Sequence, residues 1–127
     1  MDIHRIDYSE LSNTELADLR KVLNKEYTGI GLNEILHRTV QGYVQIWRIA
    51  GIVVLTQIDQ FPNGRDLTVL TIAGQMKDLR KLGTALQQLA KSLQCKWISG
   101  SALGKMEKVW EHFGAQKTNV IYRSDVI

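Results

Sequence analysis

One cysteine, three histidines and thirteen carboxylates are the groups from which this 127-residue chain could assemble chemistry. Nucleophilic and metal chemistry need such groups at set spacings, and His4 and His37 show none with Cys95 or with a carboxylate cluster. No metal site is expected. Cys95 stands at the entrance of a predicted strand and reads as a small buried apolar residue rather than a reactive thiol. A lone cysteine excludes an internal disulfide and suits a reducing compartment, the cytoplasm. Asp59, Asp66 and Glu34 are the carboxylates that chemistry alone leaves open as a general base. The remaining signal is charge. Sixteen Lys and Arg against thirteen Asp and Glu give a net +3, which suits a phosphate-bearing ligand better than nucleic acid. An RNA-binding aromatic pattern, a glycine clamp and a basic run are all absent, so a nucleic-acid partner is not expected.

Any such ligand must be positioned by one small core. A chain of this length buries roughly two thirds of its unfolded surface, enough to fold without disulfides or metals. Hydrophobic content of 44% and charged content of 23% are those of a globular protein. No apolar run approaches the ~18 residues of a membrane span, and the first residues lack the basic-then-apolar pattern of a signal peptide. Without repeats, low-complexity segments or linkers, residues 1–127 are expected to form a single domain.

The elements are legible in turn. Residues 3–8 read as a strand. Ser12-Asn13-Thr14-Glu15 is a capping box, with Leu11 and Leu16 at the staple positions, and Leu16, Leu19, Leu23 and Tyr27 follow at helical spacing until Gly29. A shorter helix starts near Asn33. Three strands come next, over residues 43–49, 52–58 and 67–72, joined by an Ala50-Gly51 turn and the Phe61-Pro62-Asn63-Gly64 turn. Met76, Leu79, Leu82, Leu86, Leu89 and Leu93 then stripe a long helix. A strand over residues 96–100, a helix over 105–113 and a strand over 119–122 close the chain. The order β-α-α-β-β-β-α-β-α-β predicts an α/β protein with a mixed sheet and helices on both faces. Its main core should combine Leu79, Leu82, Leu86, Leu89, Val53, Leu55, Val69, Ile98 and Phe113.

Over nearly its whole length this order resembles the GNAT family, the acetyl-coenzyme-A-dependent N-acyltransferases. The family's phosphate-binding motif is Arg or Gln, two residues, Gly, one residue, then Gly or Ala, opening the long helix. Its gapless match here is Asp78-Leu79-Arg80-Lys81-Leu82-Gly83, continued by Thr84. Gly83 fits the pattern, while Asp78 and Lys81 replace the Arg or Gln and the first Gly. The resemblance implies a cofactor, acetyl-CoA, held by Lys77, Arg80, Lys81, Leu82, Gly83 and Thr84, its phosphates at a helix N-terminus. It also implies an acyl carbonyl bound by the main chain of Ile72, Ala73 and Gly74, where the fourth strand splays from the fifth.

The family's general acid is a tyrosine in the last helix, followed by two residues, an apolar residue and Gly-Phe. The matching stretch is Trp110-Glu111-His112-Phe113-Gly114-Ala115, so a tryptophan holds the tyrosine position. An indole N–H donates a hydrogen bond but releases no proton near neutral pH. His112 is the other candidate for the role, if its ring turns towards the site. Two functions are therefore open. One is an N-acyltransferase moving an acetyl group to an amine acceptor, whose specificity would lie in residues 26–42. The other is a GNAT-like scaffold without chemistry, serving as a binding or structural protein with a protein partner. Some short-tailed bacteriophages carry GNAT-like proteins of this size, and the basic long helix and the Phe113-Gly114-Ala115 end are similar to theirs. In that case the chain would be an assembly component of the virion.

Overall fold

A computed structural model describes residues 3–25, 31–75, 79–101, 110–111, 115–118 and 121–127. In chain order these form β1 (Ile3–Ile6), α1 (Asn13–Lys25), α2 (Leu32–Val40), β2 (Gln45–Ile49), β3 (Ile52–Phe61), β4 (Gly64–Ala73), α3 (Leu79–Ser92), β5 (Trp97–Ser101), β6 (Gln116–Thr118) and β7 (Ile121–Asp125). Trp110 and Glu111 are helical and belong to the predicted last helix, whose other residues lie outside those described. Among the described residues the strands make one mixed sheet in the order β1-β2-β3-β4-β5-β7-β6. The β1 to β4 neighbours are antiparallel, and β4 and β5 are the parallel pair that α3 connects.

The capping box forms as its sequence requires. The Glu15 amide donates to Ser12 Oγ at 3.1 Å and the Ser12 amide to Glu15 Oε1 at 2.9 Å. The same carboxylate reaches the sheet: Arg48 on β2 donates to Oε2 at 2.9 Å through Nε and to Oε1 through Nη2 at 2.7 Å. That fork is the main cause holding the Glu15 carboxyl at about 2, well below its ordinary value, with Ser12 assisting.

Each face of the sheet has its own core. Leu82, Ala85, Leu86, Leu89 and Ala90 of α3 pack with Trp47, Ile49, Val54, Leu67, Val69 and Ile98. On the opposite face Leu19 and Leu23 of α1 and Ile35 of α2 pack with Ile46, Val53, Leu55 and Ala73. Val53 and Leu55 therefore lie away from α3, not in the core expected for them. A strand covered on both sides is apolar at every position, so its sequence does not show which parity faces which helix. The Leu79 side chain and Phe113 fall outside the described residues. Cys95 is buried, as its position predicts, and burial pushes its thiol pKa up.

The ends differ from expectation in two places. Residues 8–10 leave β1 as a 3-10 turn. The chain closes on an antiparallel β6–β7 hairpin, paired from Gln116↔Arg123 to Thr118↔Ile121, instead of a single strand over residues 119–122. A three-residue edge strand of Gln, Lys and Thr carries no apolar alternation to announce it.

Two outcomes test this packing. Leu86 is fully buried under α3, so Leu86→Ala should cost about 2–5 kcal/mol by chemical denaturation; a loss below about 1 kcal/mol would place the stripe in solvent. Glu15 carries a depressed pKa, so its contribution is complete above its ordinary 4.5 and fades as pH falls towards about 2. Glu15→Gln should lower Tm at neutral pH and flatten the fall in stability across that acid window. An unchanged acid limb in the variant would refute the role given to the Arg48 fork.

Candidate functional site

β4 and β5 start as partners and then separate. Their parallel pairing runs from Asp66↔Trp97 to Val69↔Gly100, after which β4 continues to Ala73 beside β3 alone among the described residues. The separation begins at an irregularity. Leu55 faces Thr71 and Thr56 faces Val69, so Leu70 is an extra residue on β4 with no opposite number. Such a bulge bends the strand and increases its twist, and it lies directly after the last β4–β5 rung. The bulge stands just before Ile72, Ala73 and Gly74, where the splay is expected, and the sequence did not disclose it.

Ile72 and Ala73 are buried, and Gly74 ends the strand with φ at 118°. A Cβ on Gly74 would meet nothing closer than 3.6 Å, at the Ile52 backbone. The backbone conformation, not the space, calls for glycine here. Across from it the β2–β3 turn, with Ala50 at φ 49° and Gly51 at φ 83°, faces the first turn of α3. Between them lies a cavity of about 410 Å³ lined by Ile49, Ala50, Gly51, Ile52, Gln75, Lys81 and Leu82.

The helix side of the predicted site is only partly as expected. Arg80, Lys81 and Thr84 are exposed, while Leu82 and Gly83 are buried. Leu82 belongs to the core, and Thr84 donates its hydroxyl back to the Arg80 carbonyl at 3.0 Å. Gly83 is the fifth residue of the described helix, beyond the first four amides that a helix leaves unpaired. It is buried within the helix. Lys77, like Met76 and Asp78, lies outside the described residues. The site's cations therefore stand at α3's first turn, on Arg80 and Lys81, and its glycine does not.

Trp110 is wholly buried and belongs to the α3-side core. Its ring lies against Gly100, which contributes the last rung before the strands part. A Cβ built on Gly100 would fall 2.8 Å from Cε2 of the indole, 3.1 Å from Cη2 and closer still to Cζ2. The indole therefore occupies the vertex of the splay, on the volume that any larger residue at 100 would take. Sequence reasoning placed Trp110 in this site but made nothing of Gly100. The available signal was a glycine inside a strand, which marks a close approach. His112 lies outside the described residues.

The carboxylates open as general bases are elsewhere. Glu34 pairs with Arg38 at 3.0 Å. Asp59 accepts from Gln57 Nε2 and Thr68 Oγ1, both at 2.8 Å, and Asp66 is buried and accepts from Ser99 Oγ at 2.7 Å. Asp66 stands seven residues before Ala73, roughly 23 Å along an extended strand. Among the described residues no three His, Cys, Asp or Glu side chains come together, and no helix is long and apolar enough to cross a membrane.

The vertex contact gives a direct test. Gly100→Ala should cost about 1–3 kcal/mol, the usual penalty of overpacking, and that cost should shrink by more than half in a Trp110→Leu background, where the ring is gone. Equal costs in both backgrounds would mean that the indole does not lie on residue 100.

No protein-family model and no curated protein matches the sequence. Solved structures do. A structure described as a probable acetyltransferase superposes with a TM-score of 0.66 at 14% identity, over 94% of this chain and 92% of that one. A chain of the NatC complex bound to Gag peptide and CoA gives 0.63 at 8% identity, covering 100% of both chains. A GNAT-family acetyltransferase from Bacillus cereus gives 0.53 at 13% identity, over 100% and 99%. With its bulged and splayed β4, its α3 after that strand and its closing helix and hairpin, the chain has the fold of the GNAT acetyltransferases.

Proposed function

We propose that this domain is a GNAT-type N-acyltransferase that takes acetyl-coenzyme A as donor and a primary amine as acceptor. The observation that carries the reading is the separation of β4 from β5 after the Val69↔Gly100 rung. Main-chain groups there bind a thioester carbonyl without relying on any side chain, so they survive substitutions elsewhere in the site. Solved proteins of this fold include ones bound to CoA or acetyl-CoA. The residues present fit the donor unevenly. Arg80 and Lys81 give cations at the start of α3, where phosphate is also favoured by the helix dipole. The main chain of Ile72, Ala73 and Gly74 receives the acyl carbonyl. Trp110, at the proton donor's place, supplies no acid. General acid assistance is typically worth about 10²–10⁴-fold, so turnover on this reading is slow.

A second reading has its own observation. The indole of Trp110 is buried on Gly100 as a core anchor, which favours a GNAT-fold protein without chemistry that serves as a binding or structural component, as in a phage particle. Two measurements separate the readings. Calorimetric titration with acetyl-CoA tests the donor site, and Trp110→Tyr restores a phenol at the acid's position. On the enzyme reading that variant should raise transfer to a panel of primary amines at least tenfold, about 1.4 kcal/mol of barrier. Zero turnover in both proteins together with no CoA binding would eliminate acyl transfer and leave the scaffold.

A further inference from the structure

The sheet has a second recess, at the end of β3 and β4 remote from the splay. β2 pairs with β3 only as far as the Gln45↔Thr56 rung, whereas β3 runs on to Phe61. Residues 57–60 therefore have β4 on one side and, among the described residues, no strand on the other. The link between α2 and β2 does not fill this gap. It folds back on its own helix, with the Tyr43 and Val44 amides donating to the Arg38 carbonyl at 3.0 and 3.3 Å. The result is a cavity of about 740 Å³, bounded by Arg38, Tyr43, Gln45, Gln57, Asp59 and Arg65. That volume is within the usual range of ligand sites, roughly 300–1,000 Å³.

Its polar groups are held in place from behind. Gln45 is 7% exposed. Its Oε1 accepts from Thr56 Oγ1 at 3.0 Å, and Thr56 accepts in turn from the Trp47 indole N–H at 2.8 Å. This relay fixes the amide and leaves its NH₂ group, on the wall of the recess, without a protein acceptor among the described residues. That NH₂ group is open to solvent and available to an acceptor from outside the protein. Asp59 is fixed and partly satisfied by Gln57 and Thr68. The cations are less committed. Arg38 uses Nη2 on Glu34, and Arg65 uses Nη1 on the Leu93 carbonyl at 2.8 Å. Asp59 and Glu34 offset the two positive charges, but the other guanidinium N–H groups have no protein acceptor among the described residues and are donors suited to a carboxylate.

A strand edge with no neighbour is complementary to another extended backbone, which offers donors and acceptors at the same spacing. We propose that this recess binds an extended peptide segment of another protein, which adds as a strand beside residues 57–60 and directs an acidic side chain to Arg38 and Arg65. Tyr43, 66% exposed at the rim, gives that segment an aromatic surface. The site is independent of acyl transfer, since recess and splay lie at opposite ends of β4.

The test uses the whole chain, labelled with ¹⁵N, and three end-blocked heptapeptides of alternating Thr and Val. One has a central Glu, one a central Lys, and one is the Glu peptide N-methylated at alternate amides. The Glu peptide should shift the amide signals of residues 57–60 and the side-chain NH₂ of Gln45. The Lys peptide should bind at least tenfold more weakly, and the methylated peptide, unable to complete the strand, should leave residues 57–60 unmoved. Arg38→Ala, whose side-chain hydrogen bond among the described residues is to exposed Glu34, should keep the Tm and weaken the Glu peptide. No shift at residues 57–60 up to about 1 mM Glu peptide, equal binding of all three peptides, or the same shifts from inorganic phosphate alone would overturn the proposal.

Discussion

An indole at residue 110 and a side chain at residue 100 cannot occupy the same volume, and much of this domain's architecture follows from that exclusion. Gly100 lets the last helix drop its largest residue onto the sheet at the point where β4 and β5 part. The ring joins the α3-side core that also holds Leu86, Val69 and Ile98, and a close-packed core tolerates few holes. The same contact limits what the site can do. A ring that serves as core cannot also move protons, and the chemistry left to the site rests on main chain and surface cations.

The other face of the sheet is anchored differently. α1 is joined to β2 by a carboxylate that serves two masters, completing the capping box of its own helix and taking a two-pronged bond from Arg48. That fork is directional as well as charged, and it fixes how the first helix crosses the strands. Thus the α1 layer adds a polar clamp at its N-terminus to its apolar core, while α3 is held by apolar burial along its length. The sheet between them is free to vary at its ends, and both candidate sites are at those ends. One lies where β4 continues past its last described rung with β5, the other where β3 continues past its last rung with β2. In each case a strand outruns its neighbour and its backbone becomes available.

The two sites differ in what holds them. Near the splay the relevant groups are main chain, with Arg80 and Lys81 exposed on the first turn of α3. At the opposite recess, side-chain amides are fixed by a buried relay from Trp47 through Thr56 to Gln45. Preorganised polar groups bind with less ordering cost than free surface chains, so the recess is the better-prepared of the two. A GNAT fold therefore does not by itself fix which interactions this chain makes, since function resides in sites and not in folds.

By itself the sequence determined most of the elements, and their ends to within a few residues. The capping box set the start of α1, the Pro62-Asn63 turn the β3–β4 hairpin, and the leucine stripe α3, because each is a local pattern within one turn or one strand. The order of those elements sufficed for a mixed sheet with helices on both faces and for the likeness to the GNAT fold. Site positions carried over from that likeness were legible as places, but not as environments: Gly83 proved to be buried within a helix and Trp110 to be pressed on Gly100. Tertiary structure alone decided which face Val53 and Leu55 cover, where β4 bulges, that the chain ends in a hairpin, and that Glu15 meets Arg48. These outcomes depend on residues tens of positions apart filling one volume or sharing one charge. A strand buried on both sides has no alternation to reveal its parity, and no local spacing encodes a contact between residues that only the folded sheet brings together.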